Sequence, residues 1–408
     1  MIWEKGEAEA AAEQFDLRHL PAKFYIDPYP VYGALRERAP VKRLPDGSLF
    51  LSAYDDLLAV YKNTGAFSSD KREEFRPKYG DSPLYEHHTM SLVFNDPPLH
   101  TRVRKLIAGA LTPRAIGDLA PALEALVNSL LEAMEGRQEV DLIEDFAAKI
   151  PIEVIGNLLA VPRAKRGPLR GWSLAILGAL EPAPSAAALD AGNRAVIEMS
   201  AYLDGLIAER RKRPSDPARD VLTRLLADED GERLSASELV HNCIFLLNAG
   251  HETTTNLIGN ALACLCEWQD ERRRLIEAPE LMTQAIEEFL RFESSNQLGN
   301  RRAVREAEIG GVSMAVGQFV TLGIGAANRD PKVFRDPDRL NVSRNPNRHL
   351  AFAAGPHQCA GLALARLEGR VAIGQFLHRF PDYALTGKPT RGGRARFRGF
   401  LKLPARLH

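Results

Sequence analysis

Cysteine is scarce in this chain: four in 408 residues, at positions 243, 264, 266 and 359. Four thiols spread over such a length do not build the disulfide framework of a small secreted domain. Cys264 and Cys266 stand two apart on a helical pattern, so they point to different faces and do not make a metal pair. An excess of one charge is also lacking. Lys plus Arg and Asp plus Glu number 53 each, which predicts neither nucleic acid nor a membrane surface as partner. No run approaches the roughly 20 apolar residues of a membrane span. The first residues, Met-Ile-Trp-Glu-Lys-Gly-Glu-Ala-Glu, carry charges where a signal peptide needs an apolar stretch. The expected setting is cytoplasmic, with no nucleic-acid partner and no membrane anchor. Long Ser, Gly or Pro linkers are missing, and 45% of the residues are hydrophobic, enough for one large core.

Strand signals are few as well. Val41–Leu44 and Ser48–Ser52 flank Asp46-Gly47, a tight hairpin turn. Ala307–Ile309, Val312–Met314 and Phe319–Leu322 read as short strands, and Phe397–Leu403 as one more. What dominates is helical periodicity, over about 29–39, 55–63, 98–110, 117–135, 141–160, 194–212, 218–228, 236–268, 270–277, 281–292 and 361–378. The expected fold is mainly α, a single domain over 1–408. It has a short extension at 1–20, a helical core over about 95–380, and small β regions near 40–52, 300–323 and 395–404. Residues 66–92 and 180–192 show no sustained period and are expected as functional loops. The basic stretch Arg391-Gly-Gly-Arg-Ala-Arg-Phe-Arg398 is expected as a turn followed by a solvated strand.

Cys359 is the thiol with a special setting. It lies in Phe352-Ala-Ala-Gly-Pro-His-Gln-Cys-Ala-Gly361, after which good helix formers begin. Gly355 and Gly361 let the backbone approach a bulky flat object. The loop N–H groups and the following helix N-terminus can stabilise a thiolate. A thiolate held this way is the axial ligand of haem monooxygenases. A second signal is Phe245-Leu-Leu-Asn-Ala-Gly-His-Glu-Thr-Thr-Thr-Asn256, where a long apolar helix turns polar. Ser235 and Glu238 make a capping box at its start. A Thr hydroxyl there can bond a carbonyl one turn back and loosen the ladder. Glu252 and Thr253 supply an acid and a hydroxyl for proton relay. Third, Glu288 and Arg291 stand i, i+3 among apolar neighbours, so a buried pair is expected. Fourth, Asp96-Pro-Pro-Leu-His-Thr-Arg-Val-Arg104 reads as a helix start with Asp96 as cap. His100 and Arg104 share a face there and suit a pair of carboxylates.

These four elements, in this order, resemble the soluble bacterial cytochromes P450, and the resemblance runs over about residues 20–405. It implies an α-rich prism with a small β side, and haem b between the long central helix and the cysteine loop. It implies Cys359 as the iron ligand, with Phe352, Gly355, Gly361 and Ala249 against the haem. His100, Arg104, Arg301 and His357 match the positions that hold its propionates. Glu252 and Thr253 match the acid–alcohol pair that delivers protons to dioxygen. Glu288, Arg291 and Arg339 match a buried network behind the haem. Substrate positions correspond to Met90, Leu92, Phe245, Asn248, Asn296 and Phe397. Ala353 departs from the family's usual glycine and is expected to stiffen the loop slightly. Ser294-Ser-Asn-Gln297 departs from the usual Pro and aliphatic residue, which with Asn248 puts amides beside an apolar frame.

The activity implied is insertion of one dioxygen atom into a small organic substrate with some polar groups, by hydroxylation or epoxidation. No flavin- or nicotinamide-binding fingerprint appears and a fused reductase is not expected, so electrons are expected from a ferredoxin or flavodoxin with its reductase. Arg102, Lys105, Arg344, Arg348 and Arg366 are candidates for its docking face. Two other readings use the same scaffold: a peroxide-driven peroxygenase, which has no need of Glu252 and Thr253, and a non-catalytic haem-binding sensor or carrier. A helical protein without haem is a third.

Overall fold

The computed structural model describes residues 2–217, 220–226 and 234–408. Its axis is the helix Ala236–Glu267, whose 32 residues extend about 48 Å at 1.5 Å per residue. The expected capping box starts it: Glu238 N donates to Ser235 Oγ at 3.2 Å, and Ser235 N donates to Glu238 Oε2 at 2.8 Å. Helices Lys149–Leu158, Leu169–Gly178, Ala186–Lys212 and Leu362–Arg379 pack around it. Gly250 permits one of these approaches, because a Cβ there would lie 3.1 Å from Ile155 Cδ1 of Lys149–Leu158. Gly250 thus serves close helix packing. The long helix continues unbroken through the polar stretch.

Most expected helices occur within a few residues of their expected limits. The two expected loops do not stay loops. Residues 66–92 contain two helices, Arg72–Tyr79 and Pro83–Met90, the second capped by Ser82 Oγ accepting from Tyr85 N. Their inward faces are Phe75 and Tyr79, then Leu84, His87 and His88. Imidazoles and tyrosine carry that period, so a count of aliphatic residues misses it. The second expected loop, 180–192, ends early, because Ser185 Oγ accepts from Ala188 N and starts the helix Ala186–Lys212. The 141–160 pattern divides into a wide turn, Leu142–Ala147, and the helix Lys149–Leu158. Of the expected 218–228 helix, Val221–Leu226 is helical and the flanking parts fall partly outside the described residues.

Residues near the N-terminus join the core. The helix Glu7–Glu13 packs on Tyr29–Arg38, and Phe15 meets Phe50 edge-on with ring centroids 4.8 Å apart. The Asp46-Gly47 hairpin forms with Gly47 at φ 83°, pairing Val41–Arg43 antiparallel with Leu49–Leu51. Leu49–Leu51 runs parallel to Phe319–Gly323, which pairs antiparallel with Leu298–Ala303, and Phe67–Ser68 closes that edge. The strand Leu298–Ala303 opens the β region expected near 300–323, although only its end residues are buried. No helix among the described residues is long and apolar enough to cross a membrane.

Candidate functional site

The cysteine loop is built around one tight turn. Gly355 has φ 70°, and a Cβ there would sit 2.5 Å from the carbonyl oxygen of Tyr61. Residues Gly355–His357 form a short helical turn, and Cys359 N donates to Phe352 O at 2.9 Å. The helix Leu362–Arg379 then starts with Gly361 as its N-cap. Burial pushes the Cys359 thiol up, while the Gly361 N–H, Arg104 and Arg366 pull it down. Burial outweighs these three, so the thiol on balance is held up, and the Gly361 N–H, Arg104 and Arg366 are the groups that would support a thiolate. Ala353 has φ 57°, a left-handed backbone that an L-residue with a Cβ adopts at a cost of about 1–2 kcal/mol. The expected slight stiffening is thus local strain. Ala353→Gly is expected to raise stability by about 1 kcal/mol, read as an upward shift of the thermal midpoint.

Beside the thiol stand two histidines and two arginines, with the Asp96 carboxylate acting on His100 and Arg301. His100 and His357 stack with ring centroids 4.0 Å apart. Arg104 donates to Gln358 O, joining the helix Leu99–Ala110 to the cysteine loop. Arg301 donates to Asn300 O at 2.7 Å and lies 5.3 Å over the Tyr61 ring. Among the described residues neither arginine has a carboxylate within ion-pair distance, and His100 Nε2 is buried without a partner. Burial, then Arg301, His100 and Arg104, push His357 down to about 3. Two ligand carboxylates would suit the donors of this cluster. Asp96 does not cap the adjoining helix as expected. Its carboxylate accepts from Ser69 N at 3.0 Å and from Ser68 Oγ, and Pro98 takes the cap position.

On the long helix, Phe245, Ala249 and Thr253 stand four apart and form a less covered stripe in a helix otherwise largely buried. Phe352 and Ala360 of the cysteine loop pack against the same core cluster as Phe245. Thr253 Oγ1 donates to Ala249 O at 2.8 Å, the one-turn-back bond expected of it. The neighbouring stripe holds Asn248, Glu252 and Asn256, all buried. Glu252 is pushed up by burial, against the pull of Arg394 and Arg170. Asn248 has neither amide atom bonded, and Asn296 Oδ1 is likewise buried and unpartnered. Asn296 pairs through its backbone with Phe397. Leu92 is buried and Met90 partly so, at the end of the second helix of the 66–92 segment.

The Glu288–Arg291 pair is fully buried. Arg291 Nε and Nη2 each donate to Glu288 at 2.8 Å, and Glu288 also accepts from Asn341 N, Arg344 Nε and Asn347 Nδ2. Arg339 takes part through its carbonyl, which accepts from Arg291 Nη2 at 3.4 Å, while its side chain is exposed. The second guanidinium of the network is that of Arg344. Arg344 is thereby removed from the expected docking face. Arg102 is paired with Glu238 and Arg366 with Glu287, so that face is less basic than the residue list suggests.

The basic stretch 391–398 also differs from its expectation. Arg398 is buried and bonded to Glu293, Arg391 lies 3.2 Å from the same carboxylate, and Arg394 reaches Glu252 at 3.4 Å. Arginines at 391, 394, 396 and 398 of a partly extended segment were the available signal; the buried acids that receive three of them, Glu252 and Glu293, are distant in sequence.

The chain matches the family model "Cytochrome P450" over residues 186–388. It is 42% identical to "Cytochrome P450 107B1" of Saccharopolyspora erythraea over 82% of this chain and 80% of that protein. It is 38% identical to the vitamin D(3) 25-hydroxylase of Pseudonocardia autotrophica, over 91% of each. The crystal structure of P450BioI in complex with an acyl carrier protein ligated to hexadec-9Z-enoic acid superposes with a TM-score of 0.88. That match is at 33% identity and covers 95% of this chain and 100% of that one. The chain belongs to the cytochrome P450 family of monooxygenases, oxidoreductases that bind haem b.

Proposed function

We propose that this P450 hydroxylates or epoxidises a small, largely apolar organic substrate that carries hydrogen-bonding groups, with electrons from a ferredoxin or flavodoxin. The observation that carries the reading is Cys359, bonded by the Gly361 N–H, beside Arg104 and Arg301, which have no carboxylate within ion-pair distance among the described residues, and beside the stacked His100 and His357. The residues fit haem b: Cys359 would ligate its iron, and His100, Arg104, Arg301 and His357 would take its two propionates. When bound, the haem supplies dioxygen activation and the oxidising equivalent. Phe352, Gly355, Gly361 and Ala249 would line its faces. Glu288, Arg291 and the Arg339 carbonyl hold the backbone behind it.

The remaining chemistry belongs to the side chains. Burial pushes the Glu252 carboxyl up, against Arg394 and Arg170, which suits it to hold and give up a proton at Oε. Thr253 Oγ1, now bonded to Ala249 O, is the adjacent hydroxyl through which that proton would pass. Asn248 and Asn296 offer unpaired amide atoms to the substrate, and Phe245, Phe397, Met90 and Leu92 offer apolar surface. An unpaired buried amide costs about 1–3 kcal/mol, which a substrate with matching groups recovers. The hydroxylase relative is named for vitamin D(3) and the structural neighbour holds an acyl chain; each is mostly apolar with a polar end. The setting proposed is cytoplasmic, as one domain.

Thr253→Ala separates this reading from peroxide-driven turnover. Ferredoxin-supported reduction should then release most electrons as hydrogen peroxide while peroxide-supported turnover survives. Tight coupling in that variant would remove Thr253 from the relay. Asn248→Leu and Asn296→Leu should each weaken the substrate-induced haem spin shift about tenfold, for a loss of one hydrogen bond at 1–2 kcal/mol. Unchanged affinity in both would remove the polar contacts.

A further inference from the structure

Three imidazoles meet where the helix Pro83–Met90 rests on the first half of the central helix. His87 and His88 lie on the short helix and His241 on the central one. The His87 ring centroid is 4.9 Å from that of His88 and 5.6 Å from that of His241. His88 is closed in by the rings of Phe75, Tyr79 and Phe94, at 5.6, 5.4 and 5.5 Å. All three imidazoles are buried, and each has a nitrogen without a partner: His87 Nδ1, His88 Nε2 and His241 Nδ1. Among the described residues only His241 of the three has a carboxylate at hand, Glu86 Oε1 at 3.5 Å.

Neutral rings pack there as aromatic surface. Imidazolium ions 4.9 Å apart in the same place would repel each other and lack solvation. The other charged groups facing them do not relieve this. Lys78 of the helix Arg72–Tyr79 and Arg396 of the C-terminal stretch both act on His88, and both are cations. Burial, then Arg396, push Lys78 down to about 7, so it is charged below that pH. Tyr79 is pushed upward by burial and stays neutral. Glu86, on the short helix itself, and Asp204, on Ala186–Lys212, act on His241. The Leu92–Phe94 turn brings no titratable group.

What the rings hold in place is the edge of the proposed substrate site. One residue after His241, Asn242 accepts from Leu92 N at 2.9 Å and donates to Met90 O at 3.0 Å. Elsewhere Leu84 N donates to Asn193 Oδ1, and Ser237 Oγ donates to Glu86 Oε1, both at 3.0 Å. An eight-residue helix fastened this sparsely is a natural unit of local opening. We propose that the three imidazoles form an acid-operated latch. On taking up protons they release Pro83–Met90 from the central helix and open the site at Met90 and Leu92, with the haem retained. The latch goes beyond the monooxygenase reading and rests on it only for the placement of Met90 and Leu92.

Burial sets the sign. It holds His87 well below its ordinary value, His88 at about 3, and His241 lowered as well. On the released helix the imidazoles return to about 6.5. The latch is therefore closed above about pH 6.5 and loosens as pH falls below it. Each freed imidazole multiplies the opening constant by up to about ten per pH unit, so His87 and His88 together give roughly a thousandfold between pH 7.5 and 5.0.

Hydrogen exchange of the haem-loaded protein, corrected for the intrinsic effect of pH, tests this with peptides over 83–92 and a reference over 256–265 of the central helix. Protection over 83–92 should fall roughly a thousandfold from pH 7.5 to 5.0 while the reference holds. His88→Phe, which suits its aromatic surroundings, should cut the fall to about thirtyfold, and His87→Phe with His88→Phe should nearly remove it. Carbon monoxide carries no proton, and its rebinding after flash photolysis should quicken over the same range in the parent and not in the double variant. A fall over 83–92 that only matches the reference, or that survives in the double variant, overturns the latch. A rebinding rate that stays constant while 83–92 opens overturns the opening of the site. The carbon-monoxide difference spectrum separates the two levels: absence of the thiolate-type band at pH 7.5 would sink the monooxygenase reading and leave the exchange result standing.

Discussion

Glu288→Ala is expected to destabilise the protein by about 3–5 kcal/mol, enough to prevent stable haem retention at 37 °C. The carboxylate is fully buried and accepts from two guanidiniums, one main-chain N–H and one amide. Removing it leaves Arg291 and Arg344 charged, next to each other and without an anion. Arg291 retains bonds to Asn328 O and Pro337 O, so its charge stays in place rather than swinging to water. Glu288→Gln keeps the shape and half of the acceptor capacity, and should fall between the two. Urea unfolding of the haem-loaded proteins checks this. A midpoint for Glu288→Ala equal to that of the parent would mean that the network orders the loop without stabilising it.

Glu368→Gln is expected to act in the opposite direction, and increasingly so as pH rises above about 4.5. Glu368 lies in the helix that follows Cys359, is buried, and has Oε2 unpartnered. Burial alone pushes its carboxyl up to about 8. In the unfolded chain the same group titrates near 4.5. The folded state thus holds a proton that the unfolded state gives up. The contribution of Glu368 is undiminished below pH 4.5 and is lost as pH rises through about 8. Glutamine carries no such proton. The variant should match the parent near pH 4.5 and exceed it by a few kcal/mol, on the order of 1.4 kcal/mol per unit of pH, as pH approaches 8. Unfolding curves at pH 5, 7 and 8.5 would show the gap widening. A gap that is constant across pH would mean that Glu368 finds a partner in solution.

Cys359, Glu252 and Thr253, and Glu288 with Arg291 were legible in the sequence because each depends on near neighbours in the chain. A thiol two residues before a helix-starting glycine, or two charges one turn apart, defines its local geometry without reference to the rest of the fold. The helices at 72–79 and 83–90 were not legible, since Pro77 and the outward charges hide a face carried by Phe75, Tyr79, His87 and His88. That face is defined by what it packs against. The choice of Arg344 over Arg339 as the inward side chain also escaped local reading. Arg344 reaches Glu288 from 56 residues along the chain and also donates to the Asp336 carbonyl, neither of which a local pattern shows. The arginines of 391–398 failed for a related reason. Their acids, Glu252 and Glu293, lie more than a hundred residues earlier in the sequence for Arg394 and Arg398 alike.

Those arginines sit on one strap laid along the central helix. Arg394 meets Glu252, Phe397 pairs with Asn296, Gly399 lies against Asn256, and Asn260 donates to Arg398 O. The part that would discriminate among substrates and the counter-charge of the proposed proton donor thus share a single short piece of backbone. Mutational libraries aimed at a new substrate through this strap will therefore disturb electron economy at the same time. Variants selected for product alone should emerge with wasteful oxygen consumption, whereas changes confined to Phe245 or Met90 can alter preference and leave economy intact.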